Sequence, residues 1–197
     1  MNKLLIFWTI LFLLATTCPL QAQVTNTNLF MGIANQGGTG SFNTTYGFRD
    51  NIAGATNFPA FTQGTGNTLV GANASNYTTG SDNTPVGFNA GAWYLRGSQN
   101  VFIGSGASGQ FYAAESPTTS SKTMVGNSFV GYGAGYNNLG DYNVFVGHQS
   151  GYSNVTGTNN VFVGTNTGYA NTGSSNTFLG YQAGQRNTTG SNNLFLG

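Results

Sequence analysis

General acid–base chemistry on a sugar chain needs two carboxylates, or clustered basic residues, held on one face. The sequence carries four carboxylates, Asp50, Asp82, Glu115 and Asp141, scattered so that none pairs with another. The one histidine, His148, stands where related segments have Tyr132, Thr165 and Tyr181, which reads as a surface variant rather than a base or a ligand. One histidine and one cysteine, Cys18, make a transition-metal site untenable. The calcium nonapeptide G-G-x-G-x-D is missing. "GGTG" and "GTGNT" are glycine-rich, but no helix follows to aim its N-terminus at a phosphate. The sequence therefore nominates no catalytic, metal-binding or cofactor-binding residue, and the expectation is a protein that is not an enzyme.

Surfaces for binding are easier to find. Tyr136, Tyr152 and Tyr169 recur five residues after three consecutive closing glycines of a repeat set out below. A stacked tyrosine column beside asparagines suits a platform for sugar rings, and it also suits a ladder that stiffens a corner. "AWYLRG" adds Trp93, Tyr94 and Arg96, types enriched at binding hot spots, although Trp93 could equally seal an apolar layer. These six residues are the candidate ligand contacts. A net charge of +1 gives no reason to expect nucleic acid as a partner.

The elements that must position them are unusual. Charged residues make up 5% of the chain, against roughly 25% in ordinary globular proteins. Disorder is not implied, because hydrophobic residues reach 39% and net charge is low. Residues 1–22 read as a signal peptide, with Lys3, an apolar run from Leu4 to Leu14, and Ala22 before the cut. That run is too short to span a membrane. Cys18 lies within this segment, and Thr17 and Ala15 before it do not fit a lipoprotein signal. The expected product is secreted or held at a bacterial cell surface, with no membrane-spanning segment after cleavage.

Residues 23–197 form one domain of internal repeats, each an N-x-x-φ-G segment with φ large and apolar. The ten copies run from "NLFMG" (28–32) through "NVFVG" (143–147 and 160–164) to "NLFLG" (193–197). Their closing glycines are spaced 15, 24, 16, 17, 27, 16, 17, 16 and 17 residues apart. The unit is thus 16 or 17 residues, with insertions near 48–66 and 105–126. Those insertions carry Arg49, Asp50, Glu115 and Lys122, and inserted loops often form the binding face. So short a unit cannot fold a core of its own and must stack on its neighbours. It is too glycine-rich for helix. The predicted fold is all-β, a β-solenoid of about ten rungs and roughly 45 Å at the usual strand spacing.

Each column has a physical role. The leading Asn is expected to form an amide ladder along the axis, or to serve a left-handed turn. The residue before the closing Gly is Met, Tyr, Val, Ile or Leu and is expected inside. Phe fills the preceding position in seven units, and alternation then puts it on the opposite face. Leaving seven Phe in water would forfeit on the order of 10–20 kcal/mol. Phe102, Phe129, Phe145, Phe162 and Phe178 are therefore expected at an oligomer interface with further copies of the chain. The rival arrangement is a flattened monomeric roll whose turn folds over the Phe column.

Segments such as "NVFVGHQSG" and "NTFLGYQAG" resemble the YadA-like head repeats of trimeric autotransporter adhesins. They are also similar to repeats of secreted, tail-fibre-like bacterial proteins. The adhesin resemblance implies a left-handed roll, a homotrimer and an adhesive role toward a host, matrix or glycan surface, with outer-membrane association wherever an anchor exists. The departures are a longer unit, Phe where the family has a small residue, and an end at "NNLFLG" without stalk or anchor. The expected function is a structural, adhesive rod without catalysis. The alternatives are an ice-binding solenoid, weakened because Thr44, Thr68, Thr84 and Thr177 alternate with Val, Leu and Ser, and a polysaccharide-acting β-helix enzyme.

Overall fold

The computed structural model describes residues 29–31, 42–46, 64–75, 80–92, 96–109 and 123–197. The signal-peptide segment, Trp93, Tyr94 and most of both insertions lie outside the described residues. Among the described residues ten three-residue strands follow one another: β1 (Leu29–Met31), β2 (Thr44–Tyr46), β3 (Thr68–Val70), β4 (Thr84–Val86) and β5 (Val101–Ile103). Then come β6 (Ser128–Val130), β7 (Val144–Val146), β8 (Val161–Val163), β9 (Thr177–Leu179) and β10 (Leu194–Leu196). They form one parallel sheet in sequence order. The register keeps every repeat position in its own column, as in Phe145 opposite Phe162 and Phe162 opposite Phe178. The longer step between β5 and β6 leaves this intact, with Phe102 opposite Phe129. The chain is a parallel β-solenoid.

The face assignment is the reverse of the one expected from sequence. Phe102, Phe129, Phe145, Phe162 and Phe178 are fully buried in the chain's own interior, so they are not an exposed oligomer interface. From β2 onward, Val130, Leu179 and their equivalents before the closing Gly point outward and are partly exposed, as is the first residue of each strand. The reason lies in the wall across from the strands. There a small residue and a glycine face the rings of Phe129, Phe145, Phe162 and Phe178 in turn: Ala134–Gly135, Ser150–Gly151, Thr167–Gly168 and Ala183–Gly184. A Cβ built on Gly151 or Gly168 would stand 2.5 Å from the ring of Phe145 or Phe162. The glycine thus makes room for the aromatic, and the chain's own turn closes over it.

Inside, the rings stack along the axis. Phe129, Phe145, Phe162, Phe178 and Phe195 follow at centroid spacings of 4.7–4.9 Å and interplanar angles of at most 8°. Beside them runs the asparagine ladder. The Asn143 Oδ1 accepts from the backbone N–H of Asn160 at 2.9 Å and from its Nδ2 at 3.1 Å, while Asn160 Nδ2 also donates to Gly173 O at 2.9 Å. The same pattern joins Asn43, Asn67, Asn83 and Asn100. A second ladder, absent from the sequence reading, runs through Asn138, Asn154, Asn171 and Asn187 in the polar turn. It is tied to the first where Asn143 donates to Asn138 and Asn176 to Asn171. Burying an amide is tolerable only when its hydrogen bonds are made, and stacking in register makes them all at once. The wall facing the Phe rings closes through rung-to-rung backbone bonds such as Gly135 N–H to Ser150 O.

Candidate functional site

Register carries surface residues into columns as strictly as core residues. Tyr136, Tyr152 and Tyr169 form one such column, their rings stacked at 5.0 and 5.1 Å and within 3° of parallel. Tyr152 is covered on both faces, so it presents only a ring edge and a hydroxyl. Burial raises its pKa above the usual phenol value, and the neighbouring Tyr136, Tyr169 and Tyr132 hydroxyls raise it further. The column is thus shaped as a stiffening ladder whose central ring has no free face for a sugar.

A different aromatic column does have free faces. Among the described residues it is made by the residue directly after the closing glycine: Ala72, Phe88, Ser105, Tyr132, His148, Thr165 and Tyr181. Backbone bonds fix the order rung by rung, from Gly106 N–H to Phe88 O, Gly133 to Ser105, Gln149 to Tyr132, Asn166 to His148 and Gln182 to Thr165. Phe88, Tyr132 and Tyr181 are 51%, 58% and 68% exposed, high for large aromatics on an ordered surface. Tyr132 and His148 stack at 5.3 Å. Asn89, Gln149, Asn166 and Gln182 occupy the next column, each in the left-handed region. Sequence alignment of the units puts F, Y, H and Y at one position, so the signal for this column was present at the residue following each Gly.

The outward strand face adds an uncharged strip: Thr68, Thr84, Val101, Ser128, Val144, Val161 and Thr177 in one column, Val70 to Leu179 in the other. Of the candidate hot-spot residues only Arg96 is described, and it is exposed. Asp82 is exposed as well. Asp141 has a structural task, accepting the Val125 N–H at 2.9 Å where Ser81, Ser98, Ser174 and Ser191 accept the equivalent bond on other rungs. Among the described residues no three His, Cys, Asp or Glu cluster, and no helix is long and apolar enough to cross a membrane.

The interior overturns one expectation from sequence. Stacked asparagine ladders beside a buried aromatic stack are the interior on which catalytic parallel β-helix enzymes are built, which argues against a purely non-catalytic structural rod. The scaffold is compatible with enzymatic and with adhesive use. Neither the adhesin nor the tail-fibre resemblance gains support from known proteins: no family model, no curated protein and no solved structure matches the chain.

Proposed function

We propose that this is an exported β-solenoid that engages an extended polysaccharide, as a holder or as the scaffold of a polysaccharide-acting enzyme. The supporting observation is the exposed aromatic column of Phe88, Tyr132, His148 and Tyr181, set on a rigid, nearly uncharged surface beside amide side chains. Sugars are bound by stacking their C–H faces on aromatic rings while their hydroxyls meet amides and hydroxyls. A surface with almost no charge suits a neutral glycan better than a nucleic acid or an anionic lipid. The test is binding of the protein to a panel of neutral polysaccharides, with release of new reducing ends measured in the same samples. Binding, with or without cleavage, supports the reading. Equal binding by a variant with Phe88, Tyr132, His148 and Tyr181 all changed to Ala overturns it.

A second reading, assembly with further copies of the chain, is favoured by the outward strand columns. Ile103, Val130, Val161 and Leu179 are 38–50% exposed in one uncharged strip. A strip about 45 Å long and two side chains wide approaches the ~800 Å² per partner of a standard interface. Light scattering of the wild type and of Val130→Lys with Val161→Lys tests it; a wild-type monomer sinks this reading.

A further inference from the structure

The aromatic column after the closing glycines is interrupted twice, at Ser105 between Phe88 and Tyr132, and at Thr165 between His148 and Tyr181. We propose that each interruption is a slot for one pyranose ring of the gluco configuration, inserted between two aromatic side chains. The inference rests on the polysaccharide reading above and names the sugar and the way it binds.

Thickness is the first argument. Neighbouring aromatic rings in this molecule repeat at 4.7–5.3 Å, one rung each. Positions two rungs apart are therefore separated by about 10 Å. Removing one ring from such a column leaves a gap one six-membered ring thick. The Thr165 slot has His148 on one side, whose other face is already covered by Tyr132, and Tyr181 on the other. The Ser105 slot has Phe88 and the free side of Tyr132.

Chemistry is the second. At both interruptions the missing aromatic is replaced by a hydroxyl residue, so the floor of each slot can give or accept a hydrogen bond. Gln149, Asn166 and Gln182 bring amides to the column beside the Thr165 slot. A guest that fits has two apolar faces and a polar rim. A purely aromatic guest would fill the gap and leave these hydroxyls and amides without sugar hydroxyls to meet.

Because the slot has a ring on each side, both faces of the guest must be apolar. In a β-linked glucopyranose every hydroxyl is equatorial and axial C–H bonds line both faces. Mannose and galactose each turn one hydroxyl axial and make one face polar. The slot therefore selects gluco- or xylo-configured units over manno- or galacto-configured ones.

The test titrates the protein with cellohexaose and with mannohexaose by calorimetry, beside variants that fill the slots, Thr165→Tyr with Ser105→Tyr. Tyrosine already occupies this column at Tyr132 and Tyr181, so the fold should accept it. The expected result is cellohexaose binding that falls about tenfold or more in the filled variant, with mannohexaose binding weaker throughout. Should the filled variant misfold, Tyr181→Ala removes one wall instead, and saturation-transfer NMR on the wild type should show axial protons of both sugar faces in contact. Unchanged affinity after filling or wall removal, or saturation of one sugar face alone, overturns the slots. If binding then still depends on Tyr132 and Phe88, the polysaccharide reading survives without them. If the wild type binds no glycan at all, both fall.

Discussion

Replacing Phe162 by alanine should remove a large share of the solenoid's stability, and replacing its neighbour Val161 by threonine should remove almost none. Phe162 is fully buried, with Phe145 at 4.9 Å and 8° on one side and Phe178 at 4.8 Å and 4° on the other. The small wall across from it cannot close the hole, because Gly168 and Thr167 are pinned by rung-to-rung bonds to Ala183 O and Gly180 O. Phe-to-Ala changes in such sites cost about 3–5 kcal/mol. Val161 points outward and is 38% exposed, so a threonine of nearly its shape should change stability by about 0.5 kcal/mol or less. Urea unfolding followed by far-UV circular dichroism, extrapolated linearly to water, measures both. A double-mutant cycle on Phe145→Leu and Phe162→Leu should add a coupling of about 0.5–1.5 kcal/mol from the lost stack. A Phe162→Ala cost below about 1 kcal/mol, or one no larger than that of Val161→Thr, would refute the assignment of the inner face.

Three further outcomes follow from named contacts. Asn160→Ala strips the Asn176 N–H of its buried acceptor, leaves the Gly173 carbonyl to Asn171 alone, and should cost about 2 kcal/mol, with faster hydrogen exchange at Asn176. Gly151→Ala and Gly133→Ala share a left-handed backbone, φ +59° and +60°, but only the former drives a Cβ into the Phe145 ring, while the latter meets Tyr152 at 3.5 Å. Gly151→Ala should therefore melt at the lower temperature, and equal melting would remove the steric account of the glycine column. Tyr152 has a raised pKa in the folded state, so the folded protein holds that proton more tightly than the unfolded chain. Its contribution is complete below about pH 10 and is lost as pH rises through the folded value, so the urea midpoint should fall above pH 10 and fall less in Tyr152→Phe.

The solenoid itself was legible because its cause is periodic. A 16- or 17-residue spacing of Asn and Gly leaves few structures other than stacked rungs, and the Asn column forms the expected ladder. Which strand face turns inward was not legible from the strand alone, since Val161, Phe162 and Val163 are apolar on both sides. The information sat six residues away, in the glycines that face Phe129, Phe145, Phe162 and Phe178. Size complementarity across a thin interior is a relation between two segments, and alternation within one segment does not contain it. The tyrosine column was found, but its rings face one another, which depends on the rung spacing of their side chains and not on residue type. Trp93 and Tyr94 fall outside the described residues, while the equivalence of Tyr132, His148 and Tyr181 is visible in the sequence but becomes an exposed aromatic column with Phe88 only when register stacks the units.

A regular rung advances the axis by one strand spacing, about 4.8 Å, yet it stores 16 or 17 residues. Drawn straight, that much chain spans roughly 55 Å. Tension along the axis loads the hydrogen bonds of the terminal rung directly, so rungs should peel off one after another instead of shearing together. Every release would lengthen the molecule about tenfold relative to the rung it consumes. A rod of this construction under load is an extensible tether that yields one rung at a time, with longer steps at the two inserted rungs, and the Asn ladders and Phe stack set the force of each step.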